Sequence, residues 1–178
     1  MLRIRRFVQG DEEIYLRVWH QGFTTEEWWE LISEVMEKPA DPEDVTKLDF
    51  DAAFFADLDG EAVGLIEIKF QEDKAHIRNL VVLKNFRRKG IGTKLVEKAI
   101  EFSRSKGIKR IRVKTPTRDA SRFYEKNGFK LIDYLFVIRL PYWDRATVMT
   151  EKGVEFMRKH GTNFETVSRF EVMIRELS

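Results

Sequence analysis

The sequence predicts an α+β fold: a mixed, mostly antiparallel sheet flanked by helices, in the order β-α-α-β-β-β-α-β-α-β, with a helical insertion before the last strand. Three observations carry that prediction. Two apolar runs, Phe54–Leu58 and Ala62–Phe70, flank Asp59-Gly60, the dipeptide that most strongly marks a tight hairpin. A further run, Lys74–Leu83, follows after only Gln71–Asp73, so three strands succeed one another. Its apolar end then passes through a short basic turn into a segment with Ile91, Leu95, Ala99 and Phe102 at helical spacing.

The remaining elements follow in chain order. Arg3–Phe7 alternates Ile4 against charges and reads as a first strand. Asp11–Gly22 places Ile14, Tyr15, Val18 and Trp19 on one helical face, with Gly22 as its stop. Thr24–Lys38 reads as a second helix, opened by Thr-Thr-Glu-Glu and closed before Pro39, and it carries Trp28 and Trp29. Ala40–Leu48, with its acids and Pro42, reads as a loop. After the three strands and the helix from Ile91, Ile108–Thr115 is a strand and the segment from Ala120 a helix. Leu131–Leu140 and Phe170–Leu177 read as two more strands, side by side. Between them, residues 141–168 form a helical insertion broken near Gly153 and Gly161, with Trp143, Met149, Phe156, Met157 and Phe164 as its apolar surface. It reads as a cover on the sheet, with a substrate lid or dimer contact as the alternative.

The basic turn is the most informative segment. Arg87-Arg88-Lys89-Gly90-Ile91-Gly92-Thr93 joins a strand end to a helix start, where unpaired N–H groups converge and the helix dipole adds positive charge. Gly90 and Gly92 let the main chain approach an anion with no Cβ in the way. The spacing is neither G-x-x-x-x-G-K-[ST] nor G-x-G-x-x-G, so it is not a nucleotide P-loop or a dinucleotide fingerprint. About one strand later comes Ala120-Ser121-Arg122-Phe123-Tyr124-Glu125-Lys126-Asn127-Gly128-Phe129.

In that order, the two segments resemble the GNAT superfamily of N-acetyltransferases. Arg87-x-x-Gly90-x-Gly92 resembles its acetyl-CoA pyrophosphate loop, and Ala120-x-x-Phe123-Tyr124-x-x-x-Gly128-Phe129 its later helix-to-strand segment. The resemblance covers Ile4 to about Leu140, and the predicted element order is also that family's. It implies a single acetyltransferase domain over residues 1–178, with acetyl-CoA as co-substrate and a small-molecule or peptide amine as acceptor. Backbone groups of the fourth strand, here Leu80, Val81 and Val82, would hold the acyl carbonyl and pantetheine, with a bulge or splay giving the arm room. The turn from Arg87 and Arg88 through Lys89, Gly90, Ile91, Gly92 and Thr93 would hold the pyrophosphate.

The resemblance also implies that Tyr124 donates a proton to the departing thiolate; by itself, a tyrosine in this position reads as packing between helix and sheet. For the general base two residues qualify. Glu67 interrupts an apolar strand on the face of Val63 and Leu65, where a carboxylate needs a partner or a purpose. His76 begins the fourth strand, and simple alternation places it with Leu80 and Val82. Glu67 ranks ahead of His76, and each also has a plain structural reading, as an ion-pair partner or a solvated strand residue. Thr117 stands where many members of that family carry asparagine, so a direct CoA contact there is in doubt, although its hydroxyl suits a helix cap.

Composition narrows the class further. With 32 basic and 30 acidic residues, the net charge of +2 lacks the basic excess of a nucleic-acid coat, despite Lys84, Arg87, Arg88, Lys89 and the cluster from Lys106 to Arg112. The chain has no cysteine, which removes disulfides, thiolate metal sites and a cysteine nucleophile. Its three histidines are scattered, so no metal site is expected. Charges among Met1–Phe7 break any signal-peptide core and no stretch is apolar enough for a bilayer, so the expectation is a cytoplasmic protein without a membrane partner. The sequence leaves the oligomeric state open, a homodimer being the commonest soluble assembly. A non-catalytic acyl-CoA sensor or interaction module is the alternative function.

Overall fold

The structure, a computed structural model, describes residues 1–23, 35 and 38–177. Their order is β1 (Leu2–Arg6), α1 (Glu12–Phe23), α2 (Pro42–Lys47), β2 (Ala52–Leu58), β3 (Glu61–Gln71), β4 (Lys74–Val82), a 3-10 turn (Lys84–Phe86), α3 (Ile91–Ser105), β5 (Arg110–Thr115), α4 (Arg118–Lys126), β6 (Lys130–Arg139), β7 (Thr147–Thr150), α5 (Glu151–Lys159) and β8 (Glu165–Glu176). This is the expected α+β class, strands in a mostly antiparallel sheet with flanking helices. Apart from Val35 and Lys38, the helix expected over Thr24–Lys38 lies outside the described residues. The segment read as a loop over Ala40–Leu48 contains α2, because Asp41 caps it by accepting from the Asp44 N–H at 3.0 Å and Pro42 opens its first turn.

The chain divides into two compact units, the first comprising residues 1–23, 39–113 and 175–177 and the second residues 35, 38 and 114–174. In the first, β1, β2, β3 and β4 pair antiparallel in that order and β5 joins β4 in parallel. Asp59 and Gly60 both take positive φ, 52° and 92°, as the tight turn between β2 and β3 requires. Residues directly opposite one another share a face of the sheet. Phe55, Leu65, Glu67 and Val81 therefore lie together on the face that α1 covers with Tyr15, Val18 and Trp19. Phe54, Ile66 and Phe70 lie on the other, where Phe102 of α3 meets Phe54 edge-on at 5.5 Å and stacks on Phe70 at 5.8 Å. Leu95 and Val96 of α3 are fully buried, each such side chain contributing roughly 1.5–3 kcal/mol.

Gly22 is not a helix stop. Helix α1 runs through it to Phe23, and a Cβ there would collide with Cγ1 of Val81. The missing side chain is what lets the end of α1 lie against β4.

In the second unit β6 pairs antiparallel with both β7 and β8, as expected for the two closing strands. From Leu135 to Ile138 it is packed on both faces, whereas Leu131 and Ile132 are exposed. Leu135 and Val137 pack with Ala146, Phe170 and Val172, while Ile138 packs with Val154 and Met157 of α5. The insertion is thus a cover, but only partly helical: β7 occupies Thr147–Thr150 and β8 begins at Glu165. Gly153 does not break α5, since its N–H donates to the N-cap Thr150 at 3.2 Å. Gly161, at φ 69°, follows the end of that helix, as expected.

Candidate active site

Strand β4 positions the first part of the site. Its parallel pairing with β5 runs from Lys74–Arg110 to Ile77–Val113 and stops there, although β4 continues to Val82. At the same point its register with β3 shifts: Glu67 faces Asn79 and Ile68 faces Ile77, leaving Arg78 as one extra residue, a β-bulge. Of the bulge or splay that the resemblance implied, the bulge is present. Beyond the bulge the Leu83 N–H donates to Val63 O at 2.9 Å, on the β3 side. By alternation Val81 also addresses β3, and Leu80 and Val82 turn their N–H and C=O groups to the open side.

The bulge corrects the placement of His76. The extra residue restarts the alternation, so His76, opposite Lys69, shares the α1 face with Glu67, Asn79 and Val81, while Leu80 and Val82 lie on the α3 face. Both candidate bases thus stand on one face. Glu67 is fully buried, its Oε2 accepting from Tyr15 Oη at 2.5 Å and Asn79 Nδ2 at 2.8 Å. Its Oε1 is 3.4 Å from Arg78 Nε, an ion pair without hydrogen-bond geometry among the described residues. Burial, then the neighbouring Glu67 charge, pushes the Tyr15 hydroxyl far above the ordinary tyrosine range, so it stays a donor. His76 is half-buried.

Beyond β4 the turn forms an anion cradle. Gly90 takes φ 77° as N-cap of α3, a left-handed conformation that favours glycine. The first helical bond runs from the Lys94 N–H to Gly90 O at 3.1 Å, so the N–H groups of Ile91, Gly92 and Thr93 have no intrahelical acceptor, and no side chain among the described residues caps them. No acidic residue stands in the first turn. The basic side chains are less uniform than the sequence suggests. Arg87 Nε donates back to Val82 O at 2.8 Å, tying the turn to the strand end; Lys89 lies 5.4 Å over the Phe86 ring; Arg88 holds φ 62°.

The second unit carries Tyr124. Its ring is fixed edge-on between Phe123 and Phe129, each at 5.1 Å, and the residue is 4% exposed. Its hydroxyl forms no hydrogen bond among the described residues, and burial alone raises its pKa well above the usual tyrosine value. Thr117 is the N-cap of α4, its Oγ1 accepting from the Ala120 N–H at 3.2 Å, which is the capping role its hydroxyl allowed. Beside it lies a cavity of about 210 Å³ lined by Thr115, Thr117, Arg118, Arg169 and Glu171, among others. Among the described residues no cluster of three or more His, Asp or Glu side chains is placed to hold a metal, and no helix is long and apolar enough to cross a membrane.

Tyr15 and Asn79, which hold Glu67, escape a reading of the sequence. The signal for the bulge is the polar pair Arg78-Asn79, where strict alternation after Ile77 calls for one polar residue before the next apolar one.

A strand edge past the end of its β5 pairing, with Val82 O held by Arg87, leads into a helix N-terminus that has no side-chain cap among the described residues; it suits a long ligand with an amide-bearing arm and an anionic group, the form of an acyl-CoA. A profile of the Acetyltransferase (GNAT) family matches residues 13–129, and the chain belongs to that family. It is 45% identical over 82 residues to the Bacillus subtilis protein YxbD, covering 44% of this chain and 49% of that one. It is 41% identical over 81 residues to the N-acetyltransferase CT2212 of Chlorobaculum tepidum, covering 45% and 50% respectively. The chain thus spans about half the length of these relatives. The fold also matches that of the PaiA N-acetyltransferase of Thermoplasma acidophilum, solved in complex with coenzyme A, with a TM-score of 0.64 and 19% identity over 99% of each chain.

Proposed function

We propose that this protein transfers an acetyl group from acetyl-CoA to a primary amine. The observation that carries the reading is the sequence of donors in the first unit: the open edge of β4 at Leu80 and Val82, then the free N–H groups of Ile91, Gly92 and Thr93. The strand edge would pair with the amide groups of the pantetheine arm as an added strand does. Leu80–Val82 would orient the thioester, whose carbonyl oxygen gains charge as the amine attacks; each well-placed donor there is worth about 2.7–4 kcal/mol. The cradle from Arg87 to Thr93 would hold the pyrophosphate.

In the reaction the amine nitrogen bonds to the acetyl carbon and the carbon–sulfur bond breaks. One proton leaves the nitrogen and one reaches the sulfur. We assign the second transfer to Tyr124, a neutral hydroxyl with no competing partner among the described residues. For the first we assign His76, directly or through a water. Glu67, on the same face, is wholly shielded with one oxygen doubly engaged, whereas a base must come within hydrogen-bond reach of the proton it removes.

The test is titration with acetyl-CoA, followed by thiol release over a panel of amines: small metabolites, polyamines, aminoglycosides and peptides with free N-termini. Tight binding with release for one amine class is expected. Binding with no release across the panel would leave an acyl-CoA sensor, and no binding would remove the donor assignment. In an active enzyme His76→Gln should abolish the acidic limb of the kcat/KM profile; an unchanged limb refutes His76 as base.

A further inference from the structure

We propose that Glu67 is a positioning residue, which holds β4 in its bulged register and so keeps the acyl-donor edge in the correct phase. The inference rests on the acetyl-CoA reading above. In a regular strand consecutive side chains point to opposite faces, so one carboxylate cannot engage two successive residues of the facing strand. Here Glu67 meets two, Asn79 through Oε2 at 2.8 Å and Arg78 through Oε1 at 3.4 Å. Only the bulge brings both to the same face, and the register shift falls between Glu67 and Ile68.

The alternative register defines what the clamp prevents. Continuing the pairing of Ile68 with Ile77 without the extra residue would set Arg78 opposite Glu67 and Asn79 opposite Ile66. Asn79 would then move to the α3 face, beside fully buried Ile66, away from the carboxylate. Val81 would leave the space that Gly22 opens for it beneath α1. The phase of the edge would invert, so that Val81 rather than Leu80 and Val82 addressed the open side. The buried charge opposes this slip: a carboxylate with no exposure to water requires its donors, and β4 supplies one of the two hydrogen bonds. Tyr15 supplies the other from α1, which stabilises the charge without specifying the register.

Four variants test the clamp: Asn79→Ala, Glu67→Ala, their double, and Tyr15→Phe, each first checked for folding by circular dichroism and urea titration. Two readouts apply, CoA titration and amide exchange by NMR at Leu80, Val81 and Val82. In the wild type, Val81 should be protected and Leu80 and Val82 should exchange. Asn79→Ala should weaken CoA binding by about tenfold or more and narrow or invert that pattern, the double variant being no worse than the stronger single. Tyr15→Phe should lower stability yet leave CoA affinity within about twofold. An unchanged pattern in Asn79→Ala overturns the clamp, and so does an equal loss of affinity in Tyr15→Phe at equal stability. Glu67→Gln separates the clamp from a role as base, because loss of kcat at constant acetyl-CoA KM, with the acidic limb of the pH profile removed, would overturn positioning. The exchange pattern needs no ligand, so a wild type that binds no CoA refutes the donor assignment while the clamp is still tested.

Discussion

Tyr124→Phe separates chemistry from packing because the hydroxyl has no hydrogen-bond partner among the described residues. The ring touches Phe123 and Phe129 and would keep both contacts. Removing the oxygen leaves no described donor or acceptor without its partner, so stability should change by no more than about 0.5 kcal/mol. Acetyl-CoA affinity should likewise stay within about twofold, since a general acid acts on the leaving group and not on ground-state binding. Turnover is another matter. A positioned acid contributes roughly 10²–10⁴-fold, which corresponds to about 3–5 kcal/mol of barrier. Steady-state thiol release at saturating acceptor gives kcat, titration gives the affinity, and a urea melt gives the stability. A kcat within about threefold of wild type would refute the acid assignment and leave Tyr124 as packing. The pH dependence gives a second check. Burial raises this tyrosine above its ordinary value of 10.0, so the proton is present throughout the neutral range and the acid should not be lost until well above that pH. Stability follows the same sign. Above about pH 10 the unfolded chain releases the tyrosine proton while the folded chain retains it, so stability declines as pH rises.

Two further predictions concern the scaffold. Gly22→Ala should destabilise by about 1–3 kcal/mol, because its Cβ meets Val81 Cγ1, and should weaken CoA binding by displacing α1 from β4; a urea melt unchanged from wild type would refute that close approach. Asp11 is a half of the opposite, acid-sensitive case. Its burial raises the carboxyl, but hydrogen bonds from Arg5 at 2.7 Å and the Val8 N–H at 2.9 Å outweigh this and hold it below its ordinary 3.8. Its contribution is present above that pH and lost as pH falls through the depressed folded value, so Asp11→Asn should flatten the acid limb of stability against pH. Unfolding curves at several pH values with the same acid limb in both proteins would refute it.

How much of this was legible depends on whether the information is local. The Asp59-Gly60 hairpin, the glycine turn and the helix from Ile91 are set by residues within a few positions of one another, and all three stand where the sequence places them. Helix α2 was missed although its cap is local, because Asp41-Pro42 reads equally well as a turn. Gly22 was misread for a different reason. A glycine near a helix end signals a stop by sequence, but here the requirement is set by Val81, nearly sixty residues away. His76 was placed on the wrong face by one supernumerary residue, since a period of two carries any slip along the rest of the strand. The environment of Glu67 was beyond reach, because Tyr15, Arg78 and Asn79 come from two other elements.

The last three of these misreadings, at Gly22, His76 and Glu67, meet at one strand. Position 22 must be small because Val81 sits on the α1 face, and Val81 sits there because Arg78 is extra. The same extra residue turns Leu80 and Val82 to the open edge, just where the pairing with β5 has ended. A shift of one residue in β4 would therefore undo the packing of α1, the partners of Glu67 and the phase of the donor edge together. Such coupling predicts non-additivity: Gly22→Ala and Asn79→Ala both act on the same register, so their combined loss of CoA affinity should fall short of the product of the single losses. A fully multiplicative pair, measured by titration on folded protein, would mean that the helix packing and the donor edge are set independently.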